Sequence, residues 1–177
     1  MILPDLLDYN LNIIFCGTAA SKKSKKNNAY YAGPGNKFWK TLYKIGLTKT
    51  QLKPQEFKKL INYDIGLTDI CKTDYGNDNE LDRSKYDVKG FNLKILEYRP
   101  KIVCFNGKNA AKAYLNKKIV EYGNQYETID ATKIFVAPST SGAANKFWDE
   151  KIWKEILNFI KWKTILYIFL LSFYFLP

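Results

Sequence analysis

Short apolar runs of strand length alternate with longer helix-like stretches along most of this chain, and this alternation is what most restricts its fold. The apolar runs, each ending in small or polar residues, cover residues 11–16, 65–70, 102–105 and 134–137. The helix-like stretches cover residues 37–45, 54–62, 83–98, 109–115 and 149–159. Apolar strands separated by helices are typical of parallel strands buried on both faces. The pattern predicts an α/β fold, a three-layer α/β/α sandwich with a central, mainly parallel four-stranded sheet.

The domain organisation follows from where the alternation ends. We expect one domain of residues 1–160 and an apolar C-terminal tail of residues 161–177, because the 46% apolar content suffices for one core. The apolar part of the tail is shorter than the ~20 residues that a helix needs to span a bilayer. A packed terminal helix and a membrane anchor both remain open for it. The basic stretch of residues 22–28 is predicted to be a loop.

The composition excludes several classes of chemistry. The chain has no His, which rules out Ser-His-Asp triads, His-based acid–base catalysis and most zinc sites. Cys16, Cys71 and Cys104 lie far apart in apolar segments, as is typical of buried, reduced thiols rather than ligands or disulfides. That cysteine usage favours the cytoplasm. We expect no metal ion, no iron–sulfur cluster and no other cofactor.

The net charge of +11 favours a polyanionic partner, because lysines that neutralise phosphates release counterions. The same excess of Lys would arise in an AT-rich genome, so the charge alone does not decide for nucleic acid. The carboxyl ends of the predicted strands are more informative, since ligands of open α/β sheets bind there. One nearby segment, residues 30–40, sets aromatic side chains beside a glycine-rich bend. Such a bend suits a slot that holds one flat base by stacking.

Several of these loops carry motifs of a known family. They are Phe15-Cys16-Gly17, Gly33-Pro34-Gly35-Asn36-Lys37-Phe38-Trp39, Ile45-Gly46-Leu47-Thr48, Tyr63-Asp64-Ile65-Gly66-Leu67-Thr68, Arg99-Pro100, Asn106-Gly107-Lys108 and Pro138-Ser139-Thr140-Ser141-Gly142. In this order they resemble the mismatch-specific uracil/thymine DNA glycosylases of the uracil-DNA glycosylase superfamily, over about residues 3–153. Agreement in several separate loops is more specific than one motif. The resemblance implies a monofunctional DNA glycosylase that flips uracil, or a mismatched or otherwise deaminated base, out of DNA and hydrolyses its N-glycosidic bond, which initiates base excision repair. The sequence leaves the oligomeric state open, and a monomer is the default expectation.

One family residue is missing. In the family, the loop after the first strand reads Gly-Ile-Asn-Pro-Gly, and its Asn positions the attacking water. Here the loop reads Gly17-Thr18-Ala19-Ala20-Ser21, so Ala19 stands at the Asn position and cannot hold a water by hydrogen bonds. Two interpretations stay open: a divergent enzyme that uses another residue, or a non-catalytic binder of flipped-base or abasic DNA.

Asp69 and Ser24 are the candidate catalytic residues. The resemblance places Asp69 against the base, where its carboxylate could accept the N3–H of uracil or act as general base in place of the missing Asn. Asp69 could instead cap the segment that follows it. The Ser24 hydroxyl lies in the loop after the first strand and could bind water or phosphate, or only satisfy the loop backbone.

Five residues are predicted to bind the base by resemblance to the family. Gly17, Thr18 and Ala19 present backbone groups to it, Tyr31 stacks on it, and Asn36 fixes the loop that presents Tyr31. The alternative for Tyr31 is an aromatic that fills the core.

The DNA backbone is predicted to contact Lys108, Ser139, Ser141, Gly142 and Ala143. Lys108 opens a helix after the third strand, where a phosphate could bind, although a solvated surface lysine is an equal alternative. The loop with Ser139, Ser141 and Gly142 resembles the family's loop that pinches the DNA backbone. Ala143 falls at the position of the family's plugging side chain, and its small size disfavours stable duplex DNA.

Overall fold

A five-stranded, mainly parallel sheet forms the centre of the protein in a computed structural model that describes residues 1–160. Its strands are β1 (Ile13–Ala20), β2 (Ile65–Tyr75), β3 (Ile102–Asn106), β4 (Gly123–Ile129) and β5 (Thr132–Ala137), in the order β2-β1-β3-β5-β4. Strands β1, β2, β3 and β5 pair in parallel, whereas β4 runs antiparallel to β5. The four parallel strands are those that the apolar runs predicted.

Helices cover both faces of this sheet. The α-helices are α1 (Lys22–Lys26), α2 (Phe38–Lys44), α3 (Val88–Tyr98), α4 (Lys108–Leu115), α5 (Glu150–Glu155) and α6 (Leu157–Ile160), and 3₁₀ helices span Pro54–Tyr63, Arg83–Lys85 and Gly142–Phe147. Successive strand residues face opposite sides, so Phe15 joins the apolar cluster under α2 and α5 while Ile14 and Cys16 join the cluster under α3 and α4. The predicted three-layer α/β/α architecture is therefore confirmed.

The predicted count of four strands is wrong, because β4 was missed. This strand lies at the sheet edge, and its side chains alternate between buried and exposed positions instead of forming an apolar run. Only its terminal residues, Gly123 and Ile129, are buried. A half-exposed antiparallel edge strand needs no continuous apolar sequence, so the criterion that found the central strands could not find it.

Strands β1 and β2 extend beyond their predicted ends. Gly17 to Ala20 continue β1 rather than forming a loop, because they keep pairing with β2, with Gly17 opposite Asp69 and Ala19 opposite Cys71. Asp69 likewise lies inside β2, which continues to Tyr75.

Three predicted local elements also differ from the structure. The basic stretch 22–28, predicted as a loop, contains α1, because the Ser21 Oγ accepts a hydrogen bond from the Ser24 N–H at 3.1 Å and caps the helix. The helix expected at residues 83–98 is a 3₁₀ turn followed by α3, which Asp87 caps by accepting from the Gly90 N–H at 2.8 Å. Residues 149–159 form the two short helices α5 and α6.

The N-terminal segment protects the outer edge of β2. Leu6 and Leu67 exchange two backbone hydrogen bonds of 2.9 and 2.8 Å, which occupies part of an edge that would otherwise be unpaired. Cys16, Cys71 and Cys104 are buried, free thiols, as predicted. Within residues 1–160 no helix combines the length and apolarity needed to cross a membrane. The predicted apolar tail, residues 161–177, lies outside the described residues.

Candidate active site

A cleft of about 880 Å³ opens at the carboxyl ends of the parallel strands. It brings together most of the predicted site residues: Gly17, Thr18, Ala19, Ser24, Tyr31, Asn36, Asp69, Lys108, Ser139, Ser141 and Ala143. Gly142 is the exception, since it packs against the Gly33–Asn36 bend, and a Cβ added to Gly142 would lie 3.4 Å from the Gly35 carbonyl oxygen. The expectation that ligands bind outside the strand ends thus agrees with the position of this cleft.

Asp69 forms part of the floor of the cleft. It lies opposite Gly17 in the β1–β2 pairing and is only 4% exposed. A Cβ added to Gly17 would lie 2.5 Å from Asp69 Oδ1 and 3.7 Å from the Tyr31 hydroxyl oxygen, so only glycine leaves room for this carboxylate. Burial raises the pKa of Asp69 to about 6, against the opposing influence of Lys72, whose Nζ is 4.0 Å from Oδ2. A carboxylate that titrates close to neutral pH can accept a proton from water or an N–H from a base.

Tyr31 borders the same part of the cleft. Its backbone has φ of 53°, a left-handed conformation that is uncommon outside glycine, and its ring stacks on Phe38 with the centroids 4.0 Å apart. Its hydroxyl is buried without a hydrogen-bond partner of good geometry in the described part of the chain, and burial followed by the charge of Asp69 raises its pKa. One ring face is therefore supported by the core while the residue still lines the cleft. Its role as a stacking platform stays a prediction.

Ser24 and Asn36 hold the backbone on either side of Tyr31. The buried Ser24 Oγ accepts hydrogen bonds from the Ser21 hydroxyl at 3.0 Å and from the Ala32 N–H at 3.2 Å. These bonds agree with the structural interpretation of Ser24, and its catalytic role stays a prediction. The Asn36 Oδ1 accepts from the Phe38 N–H at 3.0 Å, which leaves the amide Nδ2 without a hydrogen bond to residues 1–160.

The loops after β3 and β5 form the opposite side of the cleft. Lys108 is the first residue of α4, as predicted, with its Nζ 3.2 Å from the exposed Glu121 carboxylate and 4.3 Å from the Tyr122 ring centroid. Ser139 and Ser141 lie across from it, joined by a hydrogen bond of 3.3 Å from the Ser141 N–H to the Ser139 Oγ. These groups can reach a phosphate that enters the cleft.

Asn106 holds the loops on this side of the cleft in place. This role was not among the predicted roles of individual residues. Its amide makes two hydrogen bonds of 2.9 Å to Thr140, donating to the Thr140 Oγ1 and accepting from the Thr140 N–H. Gly107 has φ of 114°, and a Cβ there would lie 3.1 Å from the Ser139 Cβ, so the loops after β3 and β5 are in close contact. The motif Asn106-Gly107-Lys108 pointed to this position, but nothing in the motif showed whether Asn106 would hold a loop in place or contact a bound molecule.

A further wall of the cleft was also missed. Its residues are Gly76, Asn77, Asp78, Asn79, Arg83, Asn109, Tyr122 and Phe147. The Asp78 carboxylate accepts from the Asn109 Nδ2 at 2.5 Å, and Glu80 pairs with Lys22 at 2.9 Å. Residues 76–79 reach this wall because β2 continues to Tyr75, beyond the predicted end of the second strand. Across residues 1–160, no group of three or more Cys, Asp or Glu side chains is arranged to hold a metal ion.

Comparison with known proteins assigns the chain that carries this cleft to a family. A solution NMR structure of a candidate uracil DNA glycosylase from Methanosarcina acetivorans superposes with a TM-score of 0.62 at 22% identity, covering 89% of this chain and 94% of that chain. At this identity the likeness shows a shared fold. A family model of the uracil DNA glycosylase superfamily matches residues 4–159, which include every element that borders the cleft. The chain therefore belongs to the uracil DNA glycosylase superfamily.

Proposed function

We propose that this protein is a monofunctional DNA glycosylase that hydrolyses the N-glycosidic bond of uracil, or of a mismatched or otherwise deaminated base, flipped out of DNA. The observation that carries the proposal is Asp69: a buried carboxylate with its pKa raised to about 6, on the floor of the cleft. Membership of the superfamily supplies the reaction class. DNA is the partner, and we propose that the protein acts as a monomer in the cytoplasm.

The reaction mainly requires stabilisation of the charge that develops on the sugar and on the departing base, together with one positioned water. In the proposed step the bond between the sugar C1′ and the base nitrogen breaks, and its electron pair leaves with the base. The water oxygen bonds to C1′ while Asp69 takes the water proton. The base anion then takes up one proton and Asp69 gives up the one it received, directly to the base or through solvent, so the products are the free base and an abasic site in an intact strand.

The base would stack on Tyr31, the ring of which is held from behind by Phe38 at 4.0 Å. Stacking of this kind contributes about 1–3 kcal/mol and tolerates different bases. Asp69 could also read the base by accepting an N–H from it, and the free Nδ2 of Asn36 then becomes the group that holds the water. Substitutions at Asp69 and Asn36 separate these two arrangements.

Lys108, Ser139 and Ser141 would bind the DNA backbone on the other side of the cleft. Lys108 has to exchange the Glu121 carboxylate for a phosphate, and this exchange is easy because Glu121 is exposed and the pair is solvated. Arg83, exposed on the further wall of the cleft, adds a second cation.

The test is excision from 5′-labelled oligonucleotides that contain uracil, a uracil or thymine mismatch, or hypoxanthine, each followed by alkaline cleavage of abasic sites. Strand breaks that require both the wild-type protein and the modified base support the enzyme. Asp69→Asn and Asn36→Ala are compared with it, and the larger loss identifies the group that activates water. Binding of abasic DNA without excision from any substrate would instead establish the second candidate function, a non-catalytic binder, which the absence of the family Asn at Ala19 favours.

A further inference from the structure

A buried chain of charges leads from the floor of the cleft to the protein surface. The Lys72 Nζ lies 4.0 Å from Asp69 Oδ2 and 2.7 Å from Asp5 Oδ1, and the Lys72 side chain is only 10% exposed. The other Asp5 oxygen lies 2.7 Å from the Nζ of the more exposed Lys94. Two acids and two bases thus alternate from Asp69 to Lys94, so the chain of charges is balanced.

The position of Lys72 is fixed by several independent contacts. Its ammonium donates to the Tyr30 hydroxyl at 2.8 Å, and that hydroxyl donates to the Pro4 carbonyl at 3.2 Å. Asp5 is held in turn by the Thr68 hydroxyl at 2.8 Å. Two of the three N–H groups of Lys72 are therefore engaged by Asp5 and Tyr30, and at 4.0 Å the ammonium acts on Asp69 through its charge rather than through a direct hydrogen bond.

We propose that Lys72 is a positioning residue for Asp69: its ammonium, clamped by Asp5 and Tyr30, is the counter-charge that keeps the Asp69 carboxylate ionised at the floor of the cleft. A fully buried carboxylate without a counter-charge takes up a proton and can no longer accept one from water. Lys72 does not line the cleft, so in this proposal it acts only through Asp69. Only the measurement of excision depends on the proposed function; the titration of Asp69 does not.

The charged groups around Asp69 determine whether a given substitution raises or lowers its pKa. Lys72 and the more distant Lys94 lower its pKa, whereas burial and the charge of Asp5 raise it. The uncharged hydroxyl of Tyr31 also borders this carboxylate. Loss of Lys72 should therefore raise the pKa of Asp69, and loss of the Asp5 charge should lower it.

The experiment uses the full chain and the variants Lys72→Met, Lys72→Arg and Asp5→Asn. The Asp69 carboxyl carbon is followed by ¹³C NMR across pH 4 to 9 and assigned by its absence in Asp69→Asn. Lys72→Met and Asp5→Asn break the same ion pair, so a structural role predicts similar effects for both. We expect opposite effects on the pKa of Asp69. In Lys72→Met this pKa should rise by about one unit or more, because an opposite charge at this distance lowers a carboxyl pKa by about one to three units. In Asp5→Asn it should fall, and in Lys72→Arg it should stay near the wild-type value.

The acid limb of the pH–rate profile for excision should move in the same directions, with a smaller change on the alkaline plateau. Titration midpoints that agree in wild type, Lys72→Met and Asp5→Asn would overturn the proposal, as would shifts of the same sign in both variants. The NMR titration needs no turnover, so it decides the role of Lys72 even if the protein excises no base. Absence of excision with the expected NMR shifts would refute the proposed function and leave this inference standing.

Discussion

Replacing Asp69 by Asn should change stability and activity in opposite directions. In the folded protein the Asp69 pKa is about 6, against an ordinary value of 3.8, so the native state binds the Asp69 proton more tightly than the unfolded chain does. A group of this kind destabilises the protein when it is ionised. The contribution of Asp69 to the free energy of unfolding is therefore greatest below about pH 4. It falls as the pH rises from about 4 to about 6 and is constant above about pH 6.

The size of the effect follows from the pKa difference. At 1.36 kcal/mol for each pKa unit, the ionised Asp69 costs about 3 kcal/mol above pH 6. Asp69→Asn removes the charge with almost no change of shape, so the free energy of unfolding at pH 8 should rise by up to about 3 kcal/mol, while at pH 4.5 it should change by about 1 kcal/mol or less. Excision should fall by about 10²-fold or more if Asp69 is the general base, and binding of DNA should be retained.

The measurements are urea denaturation at pH 4.5 and pH 8 and excision from a uracil-containing oligonucleotide at pH 8. Asp74→Asn serves as the matched control, because Asp74 lies on the same strand but outside the cleft and pairs with Lys85 at 3.2 Å. Its pKa is lowered, chiefly by the hydrogen bond from the Tyr75 N–H, so its loss should stabilise nothing at pH 8. Equal stability changes at the two pH values would refute the raised pKa, and full excision by Asp69→Asn would refute the role as base.

Three further substitutions test the rest of the cleft. Tyr31→Ala should lower excision by about 10- to 100-fold through lost stacking, and unchanged turnover by a folded variant would remove Tyr31 as the platform. Lys108→Met should weaken binding to all DNA sequences and reduce the slope of log affinity against log salt by about one, whereas Glu121→Gln should strengthen binding by freeing Lys108; salt slopes equal to wild type in both would place this pair away from DNA. Ala19→Asn should increase excision if the family's water position is preserved, and no increase despite intact binding would show that this position is lost.

The sequence predicted the central strands from local patterns and the site residues of the cleft mainly from the family resemblance. A buried parallel strand needs a continuous apolar run, and loops at the carboxyl ends of such strands meet at one edge of the sheet, where the family resemblance then nominated Asp69 and Tyr31. The same reasoning failed for β4, which is half exposed, and for the end of β2, where polar residues continue the strand. Hydrogen bonding to neighbouring strands determines such ends, and no local pattern encodes it.

The contacts that tune the site could not be predicted for a different reason. Asp5 and Lys94 lie far from Asp69 in sequence, and they meet only because the N-terminal segment runs along the β2 edge and α3 packs beside it. Asn106 and Thr140 are likewise 34 residues apart. Pairs of this kind depend on tertiary structure, so a single sequence gives no signal for them.

The contacts of Asp69 favour one of the two interpretations that the sequence left open, and its role stays a prediction. Asp82 shows what a capping aspartate looks like in this protein: it accepts from the Ser84 hydroxyl and N–H at 2.7 and 2.9 Å, and these bonds lower its pKa. Asp69 accepts no hydrogen bond from residues 1–160, is 4% exposed, and has its pKa raised by burial. A cap would stabilise the fold, whereas burial raises the pKa of Asp69, so its ionised form destabilises the fold. With Gly17 leaving room for this carboxylate and Lys72 as its counter-charge, we expect Asp69 to act on what enters the cleft rather than to stabilise its strand.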